Sequence, residues 1–321
     1  MTAPSPLATA PSLNGWRSKV VGFRYSLSYV MLFEAKFKAL DDPRPFQPDR
    51  ATTELVPPVS EVPDGYDVVV VRHEPLAAAI PVIQRLPRLL RYAPRQLQHF
   101  YTDLRGPEGP FSAMSSKTRS TLVRKVRNFE KHSGGEISWR ICRTPEEMIE
   151  YHQIARQIAR KTYQERLFDA GLPDTDAFRN DMLELARRDQ VRGFLLFHDS
   201  TPVAYLYTPA PDGFLVYEYL GYDPAFASHS PGTVLQYLAL KALHEEGRFP
   251  MYYWGYGFTQ TKQIFSTAHV LAADIFYFRP TARNTAAVRL HQATDRFSEL
   301  AGSALDRVGL KQKINQWLKR G

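Results

Sequence analysis

The segment from Phe214 to Leu243 constrains the fold more than any other stretch of the chain. Phe214-Leu215-Val216-Tyr217-Glu218-Tyr219-Leu220 is dense in aromatic and branched residues and reads as a half-buried strand. Gly221-Tyr222-Asp223-Pro224 breaks it with turn residues, and Ser230-Pro231-Gly232 opens a helical run from Thr233 to Leu243. Ser230 is expected to cap that helix, with Pro231 in its first turn, where a missing N–H is no loss. A strand that feeds a helix start in this way turns unpaired amides, and about half a positive charge, toward solvent. Phosphate is the ligand such an end attracts, although many strand–helix turns bind nothing.

The flanking pattern places this segment late in a mixed unit. Val191 to Phe197, Pro202 to Tyr207 and Gly213 to Leu220 read as three consecutive strands, linked by His198-Asp199-Ser200-Thr201 and Pro209-Ala210-Pro211-Asp212. Earlier, Ser116 to Lys131 carries Leu122, Val126 and Phe129 at helical spacing and stops at Gly134-Gly135. Ile137 to Cys142 is an expected strand. Thr144-Pro145-Glu146-Glu147 joins an N-cap, an N1 proline and first-turn carboxylates, which predicts a helix reaching Arg166. Asp176 to Arg188 predicts another helix. After Gly247 come a strand at Met251 to Trp254, a short helix at Gln260 to Phe265, a strand at Ala272 to Phe278 and a long helical C-terminal region.

The N-terminal third is less regular. Residues 1–15 read as a flexible tail, followed by strands at Val20 to Tyr25 and Tyr29 to Phe33. Pro43, Pro45, Pro48, Pro57, Pro58 and Pro63 exclude a helix between Asp41 and Pro63. Tyr66 to Val71 and Gln96 to Tyr101 read as strands, and Ala77 to Tyr92 as mostly helical despite Pro81 and Pro87. The resulting division is a tail at 1–15, an N-terminal half at 16–114, a core at 115–280 and a helical segment at 281–321.

Composition narrows the chemistry. One cysteine, Cys142, excludes an internal disulfide framework and any CxxC site. With a start, Met-Thr-Ala-Pro-Ser-Pro, that lacks the basic and apolar regions of a leader, this predicts a reducing, cytoplasmic setting. No apolar run reaches the roughly 18 residues of a membrane span. The nine histidines are scattered, and His244-Glu245-Glu246-Gly247-Arg248 fails the His-Glu-x-x-His pattern, so no metal is expected. The net charge of +8 favours anionic partners: a CoA phosphate, an acyl carrier protein, tRNA or a lipid surface. Basic residues gather at Lys117, Arg119, Arg124, Lys125, Arg127 and Lys131, and again at Arg307, Lys311, Lys313, Lys319 and Arg320. Solvated helix faces would look the same. Leu310, Ile314, Trp317 and Leu318 form a stripe beside the second group, as in an interfacial membrane helix or a terminal helix docked on its own domain.

The order of elements resembles the core of the GNAT acyltransferases. Gly193 to Phe197, Thr201-Pro202-Val203-Ala204, Tyr217 to Pro224, Ser230-Pro231-Gly232, and Trp254-Gly255-Tyr256-Gly257 with Lys262 resemble its CelD-like, FemAB-related branch. The resemblance covers about residues 115–280. It implies an α/β fold with a mixed, mostly antiparallel sheet flanked by helices, preceded by a reduced, related N-terminal half. It further implies that Ser230, Pro231, Gly232 and Thr233 hold the pyrophosphate of acetyl-CoA or another acyl-CoA. Tyr219 and Leu220 would flank its pantetheine arm, in a slot opened where Val216 to Leu220 splays from Tyr252 to Trp254. The branch usually has acidic residues where Tyr253 and Phe258 stand, and an aromatic residue where Thr261 stands.

Acyl transfer from a thioester to an amine needs a base for the ammonium and an acid for the departing thiolate. Glu218, within the strand, is the candidate base, against the reading of an ordinary strand carboxylate. Tyr256 is the candidate acid, or else a packed loop tyrosine. Lys262 is placed to reach a phosphate or the acceptor, or lies on a helix surface. His229 precedes the helix and would contact phosphate, act as a base, or sit in the loop without a role. No Gly-x-Ser-x-Gly elbow, Walker A or Gly-x-Gly-x-x-Gly pattern occurs. The leading expectation is acyl-CoA-dependent N-acyltransfer. The alternatives are a FemAB-like transferase using aminoacyl-tRNA, its basic helix on the nucleic-acid backbone, and a non-catalytic acyltransferase-fold protein of polysaccharide or envelope assembly.

Overall fold

The computed structural model describes residues 15–27, 30–162 and 171–307. The chain divides into two compact units, Gln98–His269 and the combination of Met1–Leu97 with Val270–Gly321. This division differs from the sequence boundaries because the residues after Val270 pair with N-terminal strands. The stripe at Leu310, Ile314, Trp317 and Leu318 lies outside the described residues, as do Lys311, Lys313, Lys319 and Arg320.

In the unit formed by both chain ends, β1 (Arg17–Leu27) pairs antiparallel with β2 (Val30–Asp41), and β2 runs parallel to β3 (Val68–Leu76). Val68 and Val70 face one apolar cluster while Val69 and Val71 face another, which explains an unbroken run of valines. The Ala77 to Tyr92 region is a correction. It holds two short paired strands, β4 (Ile83–Arg85) and β5 (Leu90–Tyr92), joined by a turn in which the Leu86 amide donates to the Leu89 carbonyl. Pro81 and Pro87 lack the amides a helix would need, and the hairpin uses neither as a donor. The last strand among the described residues, β13 (Ala268–Phe278), pairs with both β3 and β5. Tilted and edge-on rings of Phe23, Phe37, Tyr92, Phe276 and Phe278 fill the space beside the last helix, Ala282–Arg307.

The central unit is layered. β7 (Trp139–Cys142), β8 (Val191–His198), β9 (Thr201–Pro209) and β11 (Tyr219–Tyr222) form an antiparallel sheet in the order β11-β9-β8-β7. β6 (Gln96–Asp103) pairs antiparallel with β12 (Met251–Tyr256), and β12 pairs parallel with the short β10 (Leu215–Val216). Helices α1 (Ser116–His132) and α4 (Pro231–Glu246) cover one face, where Leu122, Phe129, Val234 and Leu235 meet Phe194, Leu196 and Leu206. Helices α2 (Pro145–Ala159) and α3 (Asp176–Arg187) cover the other, where Tyr151, Ala155 and Met182 meet Leu195, Tyr205 and Tyr207. Alternate residues of each strand thus serve opposite cores.

Local chemistry sets the boundaries. Ser115 caps α1 through the Thr118 amide. Thr144 and Glu147 form the expected capping box, and the Thr144 and Arg143 amides hold the Glu147 carboxyl below its usual range. Gly193 and Gly221 serve close packing: a Cβ on them would lie 2.8 Å from Tyr151 Cδ2 and 2.4 Å from Tyr205 Cε1.

Candidate functional site

Two parallel neighbours part company in the middle of the central unit. Leu215 and Val216 pair with Tyr252 and Tyr253, and the Tyr217 amide donates to the Tyr253 carbonyl at 2.8 Å. Beyond that bond the chain changes sheets, and Tyr219 to Tyr222 pair with β9 instead. β12 stays with β6 as far as Tyr256. The expected single strand at Gly213 to Leu220 is therefore two strands, β10 and β11, with Glu218 at the break. β11 is the edge of its sheet, so one side of its backbone faces away from β9.

Glu218 is exposed at its surface, yet the protein mass around it displaces enough water to push its carboxyl up. Around it lie Tyr207 and Tyr219, with ring centroids 6.2 Å apart, and Phe178, 5.2 Å from Tyr207 and 5.9 Å from Tyr219. Burial, then the Glu218 charge, pushes both tyrosine hydroxyls up.

On the opposite side of the break, Tyr217, Tyr252 and Trp254 stack beside Gln236 of α4. The Trp254 ring lies 5.3 Å from Tyr217 and 4.7 Å from Tyr252. Burial pushes the Tyr217 hydroxyl up to about 12, opposed by a bond with Gln236. The Tyr252 hydroxyl is buried without a hydrogen-bond partner among the described residues. Sequence reading missed this polar group. Its one signal is a glutamine inside the apolar run Val234-Leu235-Gln236.

The loop after β11 is tightly held. Asp223 accepts from the Ala225 amide at 3.0 Å and from Lys161 Nζ at 2.7 Å, capping a 3₁₀ turn at Pro224–His229. Burial works to raise its carboxyl, but the Lys161 ammonium and the amide prevail and hold it low. Ser230 corrects the capping expectation: its φ of 54° and ψ of 45° are left-handed, and its side chain caps nothing. In that conformation its carbonyl accepts the Thr233 and Val234 amides at 3.0 and 3.1 Å, while its own amide donates to Ala227. A non-glycine residue in this region stores about 1–3 kcal/mol of strain. Because Pro231 has no N–H, Gly232 has the one amide of Ser230 to Thr233 left without an acceptor among the described residues. A Cβ on Gly232 would sit 3.3 Å from both Leu220 and Tyr222, so the helix start lies close under β11.

The family comparison agrees with this geometry: residues 116–263 match the model of the GNAT acetyltransferase domain. Residues 116–263 carry a GNAT fold. Among solved structures, this chain is similar to the C-terminal domain of a protein described as a lysylphosphatidylglycerol synthetase from Agrobacterium fabrum. The identity is 12%, the coverage 72% of each chain and the TM-score 0.47. FemX is similar at 10% identity over 87% of this chain and 91% of its own, with a TM-score of 0.48. L-PGS from Bacillus licheniformis is similar at 12% identity over 72% and 73%, with a TM-score of 0.42. At such identities and TM-scores nothing about this chain's activity or substrate follows from these likenesses. Comparison with curated proteins gives no significant match.

The remaining expected residues lie at the end of β12, in the short helix after it and in the loop before α4. Tyr256 ends β12 between Gly255 and Gly257, both left-handed, and its side chain is exposed. Lys262, in the short helix α5 (Gln260–Phe265), donates to the Tyr256 carbonyl at 2.6 Å, and burial pushes its ammonium down. The lysine thus holds the glycine turn. The His229 ring lies tilted, 4.6 Å from His132 and 6.0 Å from His198, on the side of α1. Tyr253, where the branch usually has an acid, bonds the His99 ring at 2.6 Å, and Phe258 is 70% exposed. Lys117, Arg124, Arg127 and Lys131 project from α1 without ion-pair partners among the described residues. No group of three potential ligands among the described residues is arranged to hold a metal, and no described helix is long and apolar enough to cross a membrane.

Proposed function

We propose that the GNAT unit transfers an acyl group from acyl-CoA, acetyl-CoA being the first donor to test, to an amine. The observation that carries this reading is the parting of β11 from β12 just beyond the β10 pairing, with the Gly232 helix start close under β11. A gap between parallel strands leaves edge amides for an extended pantetheine-like arm. The adjacent helix start and the basic face of α1 suit a pyrophosphate.

Glu218 takes the proton from the acceptor ammonium. The freed nitrogen then attacks the thioester carbonyl, the carbon–sulfur bond breaks, the thiolate leaves with a proton from Tyr256, and the Tyr256 phenolate recovers the proton that the new amide nitrogen sheds. Lys262 positions the Tyr256 turn. Tyr207, Tyr219 and Phe178 offer rings to an ammonium held at Glu218. Ser230, Gly232 and Thr233 shape the phosphate end, with Pro231 fixing the helix start, and Tyr219 and Leu220 line the arm.

Turnover of an amine panel with acetyl-CoA tests the reading. Glu218→Gln is expected to lower the rate by about 100-fold or more while leaving acetyl-CoA affinity within a factor of two. An unchanged rate would remove Glu218 as the base. The exposed basic face of α1 supports a second reading, transfer from aminoacyl-tRNA. It predicts tRNA retention that weakens steeply with salt and lacks any response to CoA.

A further inference from the structure

The hairpin of β4 and β5 and the start of the helix Ala282–Arg307 border a hollow of about 220 Å³. That is room for far more than one water, which needs roughly 10–15 Å³. Ile83, Leu90 and Pro280 give it an apolar lining, and Arg85, Thr285 and Arg289 a polar one. Thr285 donates its hydroxyl proton to the Thr281 carbonyl at 2.8 Å, which leaves its oxygen as an acceptor. The charge is one-sided. Neither contributing segment, Ile83 to Leu90 nor Pro280 to Arg289, contains an Asp or a Glu. Neighbouring arginines do find partners: Arg88 meets Glu61 at 3.5 Å, Arg279 meets Asp64 at 3.3 Å, and Arg91 donates to Gln84. Arg85 and Arg289, the two that line the hollow, have no hydrogen bond or ion pair among the described residues. Each therefore keeps its whole fork of N–H donors free of protein partners.

We propose that this hollow binds a phosphate monoester, with Arg85 and Arg289 taking the phosphate oxygens and the apolar lining meeting the substituent. Guanidinium forks match paired phosphate oxygens in geometry as well as charge. Two like charges at one small hollow repel each other until a counter-ion joins them. A dianion balances both, whereas a carboxylate or a phosphate diester brings one charge only. A phosphate monoester carries a charge of about −1.5 to −2 at pH 7. A soluble phosphorylated molecule and a lipid with a terminal phosphate headgroup present this same chemistry. The hollow is built from residues outside 116–263, so acyl-CoA binding and this site stand or fall separately.

Calorimetry on the full chain with inorganic phosphate, and with acetate as the single-charge control, tests the site. Wild type is compared with Arg85→Gln/Arg289→Gln and with Gly232→Val, which alters the other place where a phosphate is expected. The expected result is a millimolar or tighter phosphate site that persists in Gly232→Val and weakens about tenfold or more in the arginine variant. Acetate is expected to bind wild type at least about tenfold more weakly than phosphate. Both arginines are exposed, and either single variant gives the same direction of change if the double variant folds poorly. Equal phosphate affinity in wild type and the arginine variants would overturn the proposal. So would phosphate binding lost only in Gly232→Val, acetate binding as tight as phosphate, or no phosphate binding to wild type at millimolar concentration. Flotation with phosphatidylcholine vesicles, with and without phosphatidic acid, separates the two sources. Retention on phosphatidic acid that the arginine variant loses assigns a lipid headgroup, and arginine-dependent phosphate binding without retention assigns a soluble ligand.

Discussion

Under the proposed acyltransfer, Glu218 joins the chemistry of the site to the stability of the fold. A carboxyl raised in the folded chain keeps its proton over a pH range in which the unfolded chain has lost it. Folding stability from this group therefore falls as pH rises through that range. Glu218→Gln is expected to melt at a higher temperature than wild type at neutral pH, with the gap closing as pH drops below the ordinary carboxylate range. A gap that does not change with pH would contradict this. Cys142 offers a second check: it is 1% exposed, and burial pushes its thiol up to about 11. A disulfide reagent at neutral pH should leave it intact in the native protein and label it only on unfolding. Legibility at this scale followed chemistry visible in one residue. Glu218 is visible in the sequence as a carboxylate in an aromatic run, which left its role open, whereas Lys161 and Gln236 gain partners only in the fold, Asp223 62 residues away and Tyr217, respectively.

Elements were readable where local signals agreed. Thr144-Pro145-Glu146-Glu147 carries the whole start of α2, and the folded chain makes each of those bonds. The Ala77 to Tyr92 hairpin was missed because its apolar residues also fit a helical pattern, and what decides between the two is pairing with β13 from the far end of the chain. The split of β10 from β11 has no local signal either, since Tyr217-Glu218-Tyr219 would suit a continuous strand. Element stability has its own test at the α4 end. Arg192 of β8 is buried, donates to Glu246 and Asp189, and lies 5.0 Å from the Phe249 ring centroid. Glu246→Ala leaves that guanidinium short of a partner. Denaturant titration should show a loss of about 3 kcal/mol. A change under about 0.5 kcal/mol would mean that Asp189 alone satisfies the charge.

At the scale of the molecule, the order helix, strand, two helices, three strands, helix and strand was legible, and residues 116–263 build it as a GNAT fold with the third strand divided into β10 and β11. The return of β13 and the last helix to the N-terminal strands was not, because such pairing depends on contacts of very high sequence separation. The central claim is that the gap between β11 and β12 receives acyl-CoA. Isothermal titration of the full chain with acetyl-CoA, backed by Gly232→Val, tests it most directly. The account predicts one site per chain with a micromolar Kd in wild type and at least about tenfold weaker binding in the variant. No heat of binding with acetyl-CoA or longer acyl-CoAs at millimolar concentration, or equal affinity in both proteins, would contradict it.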